Sequence, residues 1–101
     1  MWSKKEKEIA RRAYELAFER ESAALLGRLK EEANAAEAPE DIWRIHDLLT
    51  SKIKEIDRKY DYRYSVLIPV FGRLISEGWL APDDLDGLAE DKIAQIKLIA
   101  G

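Results

Sequence analysis

Residues 3–36, SKKEKEIARRAYELAFERESAALLGRLKEEANAA, decide the fold. They contain no proline and a single glycine, Gly27, and are dominated by Ala, Leu, Glu, Lys and Arg, the strongest helix formers. One long helix is the expectation. Its apolar residues recur at helical spacing through Ala10, Tyr14, Phe18, Leu25, Leu29, Ala33 and Ala36. A second stripe, Ile9, Ala13, Leu16, Ala17 and Ala24, runs beside the first, and Glu8 with Arg12 has the spacing of a surface ion pair.

Downstream, Pro39 followed by Glu40 and Asp41 marks a helix start, with proline in the first turn and acids at the positive end of the dipole. Ile42, Ile45, Leu49, Ile53, Ile56 and Tyr60 then step by three and four residues, which predicts a second helix of about five turns. KYDYRYS at 59–65 reads as a corner, where Asp61 and Ser65 can cap the next helix. VLIPVFGRLISEG at 66–78 predicts a third helix closed by Gly78. Its interior Pro69 is tolerated if the helix begins near Ser65, which places it in the first turn, and otherwise kinks the helix. Pro82, Asp83 and Asp84 open a further helical stretch that Gly87 divides, leaving a last helix that ends near Ala100. Leu85, Leu88, Ile93, Ile96 and Ile99 are expected to face the core. The fold class is all-α, in one domain over 1–101.

A first helix of about 33 residues is roughly 50 Å long, and a second of about 20 residues covers only roughly 30 Å of it. The uncovered remainder, with two apolar stripes, calls for a second copy of the chain in a twofold homodimer.

Composition narrows the function. The 101 residues hold no cysteine, so neither a disulfide framework nor a thiolate metal site exists, which suits the cytoplasm. No apolar run is long enough for membrane insertion. The net charge of −3, with both signs mixed along the chain, argues against nucleic acid as a partner. Lys4, Lys5, Lys7, Arg11 and Arg12 are interspersed with Glu and read as a solvated helix face.

His46 is the only histidine and has no second ligand at helical spacing, so no metal site, catalytic group, cofactor or small-molecule substrate is indicated. The chain reads as a binding module and not an enzyme. Trp43, His46, Asp47 and Thr50 share one face of the second helix, offset from its isoleucines. A tryptophan beside a polar pair suits either a protein interface or packing within the dimer. Tyr60, Tyr62 and Tyr64 alternate with Asp61 and Arg63, and the acidic balance makes this a packing or protein-contact segment.

WRIHDLLTSKIKEIDRKYDYRYSVLIPVFGRLISEG at 43–78, with RRAYELAFERESAALL upstream and LAEDKIAQIKLIA downstream, resembles the fluorescence recovery protein family. The resemblance implies a long helical hairpin that forms an antiparallel dimeric stalk, with stalk helices in 1–60, and a small helical head in 61–101. It also implies binding to the C-terminal domain of photoactivated orange carotenoid protein, a faster return of that protein to its orange form, and an end to quenching at the phycobilisome. Trp43, His46 and Asp47 match the family's dimer centre and partner-binding face. Thr50, Arg63 and Phe71 join them as expected contacts. Three positions depart from the family's pattern: Ile53 stands at a functional arginine, Pro69 at an aromatic that contacts the partner, and Gln95 at a lysine. Together these resemble family homologues, natural or reconstructed, from bacteria without orange carotenoid protein, whose protein partner is unknown.

Overall fold

The computed structural model describes residues 1–101 and contains helices only: α1 Lys4–Ala35, α2 Pro39–Lys59, α3 Leu67–Ser76, a 3₁₀ turn Pro82–Leu85 and α4 Glu90–Ala100. The molecule measures 53 × 25 × 21 Å, and its radius of gyration of 16.5 Å exceeds the ~13 Å of a compact domain of this length. None of the helices is long and apolar enough to cross a membrane.

Ser3 starts α1 with reciprocal bonds, its Oγ accepting from the Glu6 amide at 3.1 Å and its own amide donating to Glu6 Oε1 at 3.0 Å. The chain then reverses tightly. Asp41 Oδ2 accepts from the amides of Glu37 and Ala38 at 2.9 and 3.0 Å, with Pro39 as the first residue of α2. Antiparallel to α1, α2 is tied to it near the tip by Arg44 and Glu32 and near the other end by Lys59 and Glu21.

Residues 60–63 are not helical, and α3 begins after Val66 without a side-chain cap. The expected caps are therefore corrected: Asp61 accepts from Arg63 Nε at 2.9 Å, and Ser65 lies within a turn. The linker instead serves to reach the first half of α1, and alternate residues face that helix as they would in a strand. Tyr60, Tyr62 and Tyr64 build an aromatic ladder with Trp2, Tyr14 and Phe18, with ring centroids 4.8–5.8 Å apart in successive pairs. Arg11 lies 4.0 Å from the centre of the Tyr62 ring.

Pro69 falls in the first turn of α3, as its chemistry requires, and Gly78 closes the helix at φ +85°. Gly87, at φ +102°, separates the 3₁₀ turn from α4. The head core joins Leu67, Phe71, Leu74, Leu80, Leu85, Leu88 and Ile96 to Ala10, Ala13 and Ala17 of α1. Ala13 and Ala17 of the second stripe, with Ala10 of the first, thus make the closest contact, since their small side chains let the head settle directly on the helix. Ile93 packs on the edge of this core, whereas Ile99 is half exposed and lies against Gly72 of α3. On the α1 surface the ion pair formed is Arg11 with Glu15, at 4.0 Å, and not Glu8 with Arg12.

Candidate functional site

The stalk is only half covered. Beyond the head, α1 touches α2 alone, so Phe18 and Leu26 of α1 and Ile42, Trp43 and Ile53 of α2 are left open to solvent. Trp43 is 68% exposed and Ile42 64%. Such a run of large apolar side chains on two adjacent helices marks an interaction face.

The expected site residues divide into two groups. Trp43, His46, Asp47, Thr50 and Ile53 lie along α2, Thr50 half buried and the others exposed. His46 Nδ1 and Asp47 Oδ1 are 3.3 Å apart, both well exposed and neighbours in sequence. No group of three or more His, Cys, Asp or Glu is placed to hold a metal. Arg63 and Pro69 belong to the head, exposed in the linker and at the start of α3, so the structure does not bring them onto the α2 face. Phe71 is removed from the contact set: it is fully buried between Leu67 and Leu74, where it builds the core. Gln95 is exposed on α4.

Between stalk and head lies a polar neck that the sequence reading missed. The Lys59 side chain is 0% exposed, and its Nζ donates to Glu21 Oε2 and to Glu77 Oε1, each at 2.6 Å. Tyr60 donates its hydroxyl to Glu21 Oε1 at 2.9 Å, Arg73 Nε to Glu77 Oε2 at 2.8 Å and Trp79 Nε1 to Glu77 Oε1 at 3.2 Å. Burial works to raise Glu77, but its bonds from Lys59 and Arg73 prevail and hold its carboxyl below the usual range. Burial and then the bond to Glu21 push the Tyr60 phenol far above its ordinary value. A signal was present, because Lys52, Ile56 and Lys59 fall at helical spacing on the face of α2 turned to α1. A lysine at such a position needs acids opposite it.

This elongated hairpin with a head on one end can be compared directly with known proteins. The family described as photoprotection regulator fluorescence recovery protein matches residues 2–100. The chain belongs to the fluorescence recovery protein family. The fluorescence recovery protein of Synechocystis sp. PCC 6803 is 39% identical over 99 residues, covering 98% of this chain and 91% of that protein. Its solved structure superposes with a TM-score of 0.95, covering 99% of this chain and 98% of that one. The fluorescence recovery protein structure from Fremyella diplosiphon is 46% identical, with a TM-score of 0.94 and the same coverage. The family is one of photoprotection regulators, described by no enzymatic activity. The all-helical fold is the one expected from the sequence, and the long hairpin with its small head is the arrangement that the family resemblance implied.

Proposed function

We propose that the chain is a dimeric, non-enzymatic regulator that acts in the cytoplasm on photoactivated orange carotenoid protein. It binds that protein's C-terminal domain and speeds its return to the orange form, which ends quenching at the phycobilisome. The observation that carries this reading is the open apolar face of the stalk in a chain of this family. Two copies placed antiparallel would cover Leu26, Ile42 and Ile53 of one another and leave a head at either end.

No covalent step is needed. A regulator that binds the compact arrangement of its partner more tightly than the open one shifts the balance by that difference in affinity. Trp43, His46, Asp47 and Thr50 supply the dimer centre and the adjoining contact face in this reading, and Arg63 and Pro69 supply contacts from the head. The test is to mix the protein with the photoactivated red form and follow absorbance in the dark. Recovery that accelerates with concentration supports the proposal, and an unchanged rate refutes it.

A second reading is favoured by Ile53, Pro69 and Gln95, which stand where the resemblance implies an arginine, an aromatic and a lysine. In it the same dimer serves a different protein partner. Ile53→Arg discriminates: activity gained only in the variant favours this reading, and activity already present in the parent removes it.

A further inference from the structure

A groove of about 310 Å³ lies where the last turns of α2 pass α3. It is lined by Ser51, Lys54, Glu55, Arg58 and Arg73, without one apolar side chain. Glu55, its only acid, is engaged with Lys52 at 3.4 Å. Lys54 and Arg58 make no ion pair, whereas the other cations of α2, Arg44, Lys52 and Lys59, all do. Arg73 bonds Glu77 through Nε alone, and its side chain is half exposed. One turn of helix separates Lys54 from Arg58, which sets their Cβ atoms roughly 6 Å apart on one face.

The groove does not compete with the apolar face. At 100° per residue, Ile42, Leu49 and Ile53 cluster on one flank of α2, and Ser51, Lys54 and Arg58 lie roughly 150° around the helix from them. A second copy seated on the isoleucines leaves the cations open. Trp43 and Thr50 lie between the two flanks, and the exposed Asp47 lies in phase with Lys54 and Arg58 two turns nearer the tip, so the cationic stretch is confined to the neck end of α2. Tryptophan and arginine are the residues that most often dominate protein interfaces.

We infer that the groove formed by Ser51, Lys54, Arg58 and Arg73 docks an acidic segment of a partner protein. Charge complementarity selects the occupant: two unpaired cations and a partly free guanidinium, with a hydroxyl between helices, match carboxylates spaced along a peptide. Steering by such charges raises the rate of encounter and makes binding sensitive to salt. The surface is independent of which protein the apolar face serves.

The test uses the full chain and a fluorescein-labelled peptide of alternating Glu and Ser, read by fluorescence anisotropy at several salt concentrations. The expected result is binding that weakens as salt rises and that falls about tenfold or more in the Lys54→Glu/Arg58→Glu variant. The thermal midpoint of that variant should fall by only a few degrees, since neither side chain has an ion-pair partner to lose and Arg58 gives up only its favourable place in the last turn of α2. Equal binding by parent and variant overturns the inference. So does tighter binding of a single-stranded oligonucleotide than of the peptide, or displacement of the peptide by inorganic phosphate at matched ionic strength, which would mark an anion site only.

Discussion

Lys59 Nζ lies 2.6 Å from Glu77 Oε1, and this contact joins the last turn of α2 to the residue that ends α3. Glu21 of α1 completes the junction on the other side of the same ammonium. Three segments distant in sequence thus meet on one buried charge. Removing one partner from such a group leaves the others uncompensated, a loss of roughly 3–5 kcal/mol. Lys59→Met, which keeps most of the packing, should therefore lower the thermal midpoint by at least ~10 °C, given ~4–8 °C per kcal/mol for a chain of this size. Calorimetry of parent and variant decides. A midpoint within a few degrees would show that the neck charges contribute little.

Acid should loosen the chain at its N-terminus. Backbone bonds from Ser3 and Ala89, followed by Lys92, hold the Glu6 carboxyl at about 2 against an ordinary 4.5. A depressed folded value stabilises fully above the ordinary one and loses that contribution as pH falls through the folded one. Glu77, Asp84, Asp41 and Asp61 are shifted in the same direction. Urea midpoints should hold above about pH 5 and fall steadily towards about pH 2, with Glu6→Gln flattening the lower part of the curve.

Gly72 admits no side chain. A Cβ there would meet Ile99 Cγ2 at 2.5 Å, Ile99 Cβ at 2.8 Å and the Ile96 carbonyl at 3.3 Å. Gly72→Ala should force α4 off α3 and cost about 1–3 kcal/mol. Adding Ile99→Ala removes the nearest obstacle, so the double variant should recover part of that loss in chemical denaturation. Strict additivity of the two changes would place the clash elsewhere.

Gly27 is the opposite case, with nothing within 4 Å of an added Cβ and an ordinary helical backbone. By helical phase it points away from both α2 and the Leu26 side of the stalk. Gly27→Ala should stabilise α1 by about 0.5–1 kcal/mol and leave the oligomeric state unchanged. Light scattering with a thermal melt reads both quantities.

The dimer is tested on the open flank. Ile53→Asp puts a charge where a second copy would bury an isoleucine, at a side chain that its own chain covers only by about half. The variant should shift to monomer in size-exclusion chromatography with light scattering while keeping its helical circular dichroism. A parent that is itself monomeric at micromolar concentration would refute the dimer outright.

Periodicity made the helices legible before any coordinates, and the punctuation of Pro39, Gly78 and Gly87 located their ends. The late start of α3 followed from Pro69 alone. Three features were not legible, for different reasons. The aromatic ladder needs a period of two inside a segment read as a corner, and only the reach required of that linker reveals it. The neck brings together Glu21, Lys59 and Glu77, whose separation in sequence hides their pairing. Phe71 passed for a surface residue because the family resemblance concerns a patch, whereas burial depends on which face of α3 meets α4. The cations at Lys54 and Arg58 were visible as letters, but their isolation from acids is a property of the folded surface.

Because α1 runs without a break from the head core at Ala10, Ala13 and Ala17 to the stalk at Leu25 and Leu29, head and stalk are keyed to one another by helical phase. Adding a single residue to α1 between Glu21 and Glu32 would turn the tip half of that helix by about 100° and advance it by about 1.5 Å, while α2 stays fixed at the neck through Lys59, so Arg44 and Glu32 would no longer meet. Only matched additions to both helices, of about seven or eleven residues, lengthen the stalk and keep its phase. The paired lengths of α1 and α2 therefore set the dihedral angle between the two heads of a dimer, as the pitch of a screw sets where its slot comes to rest.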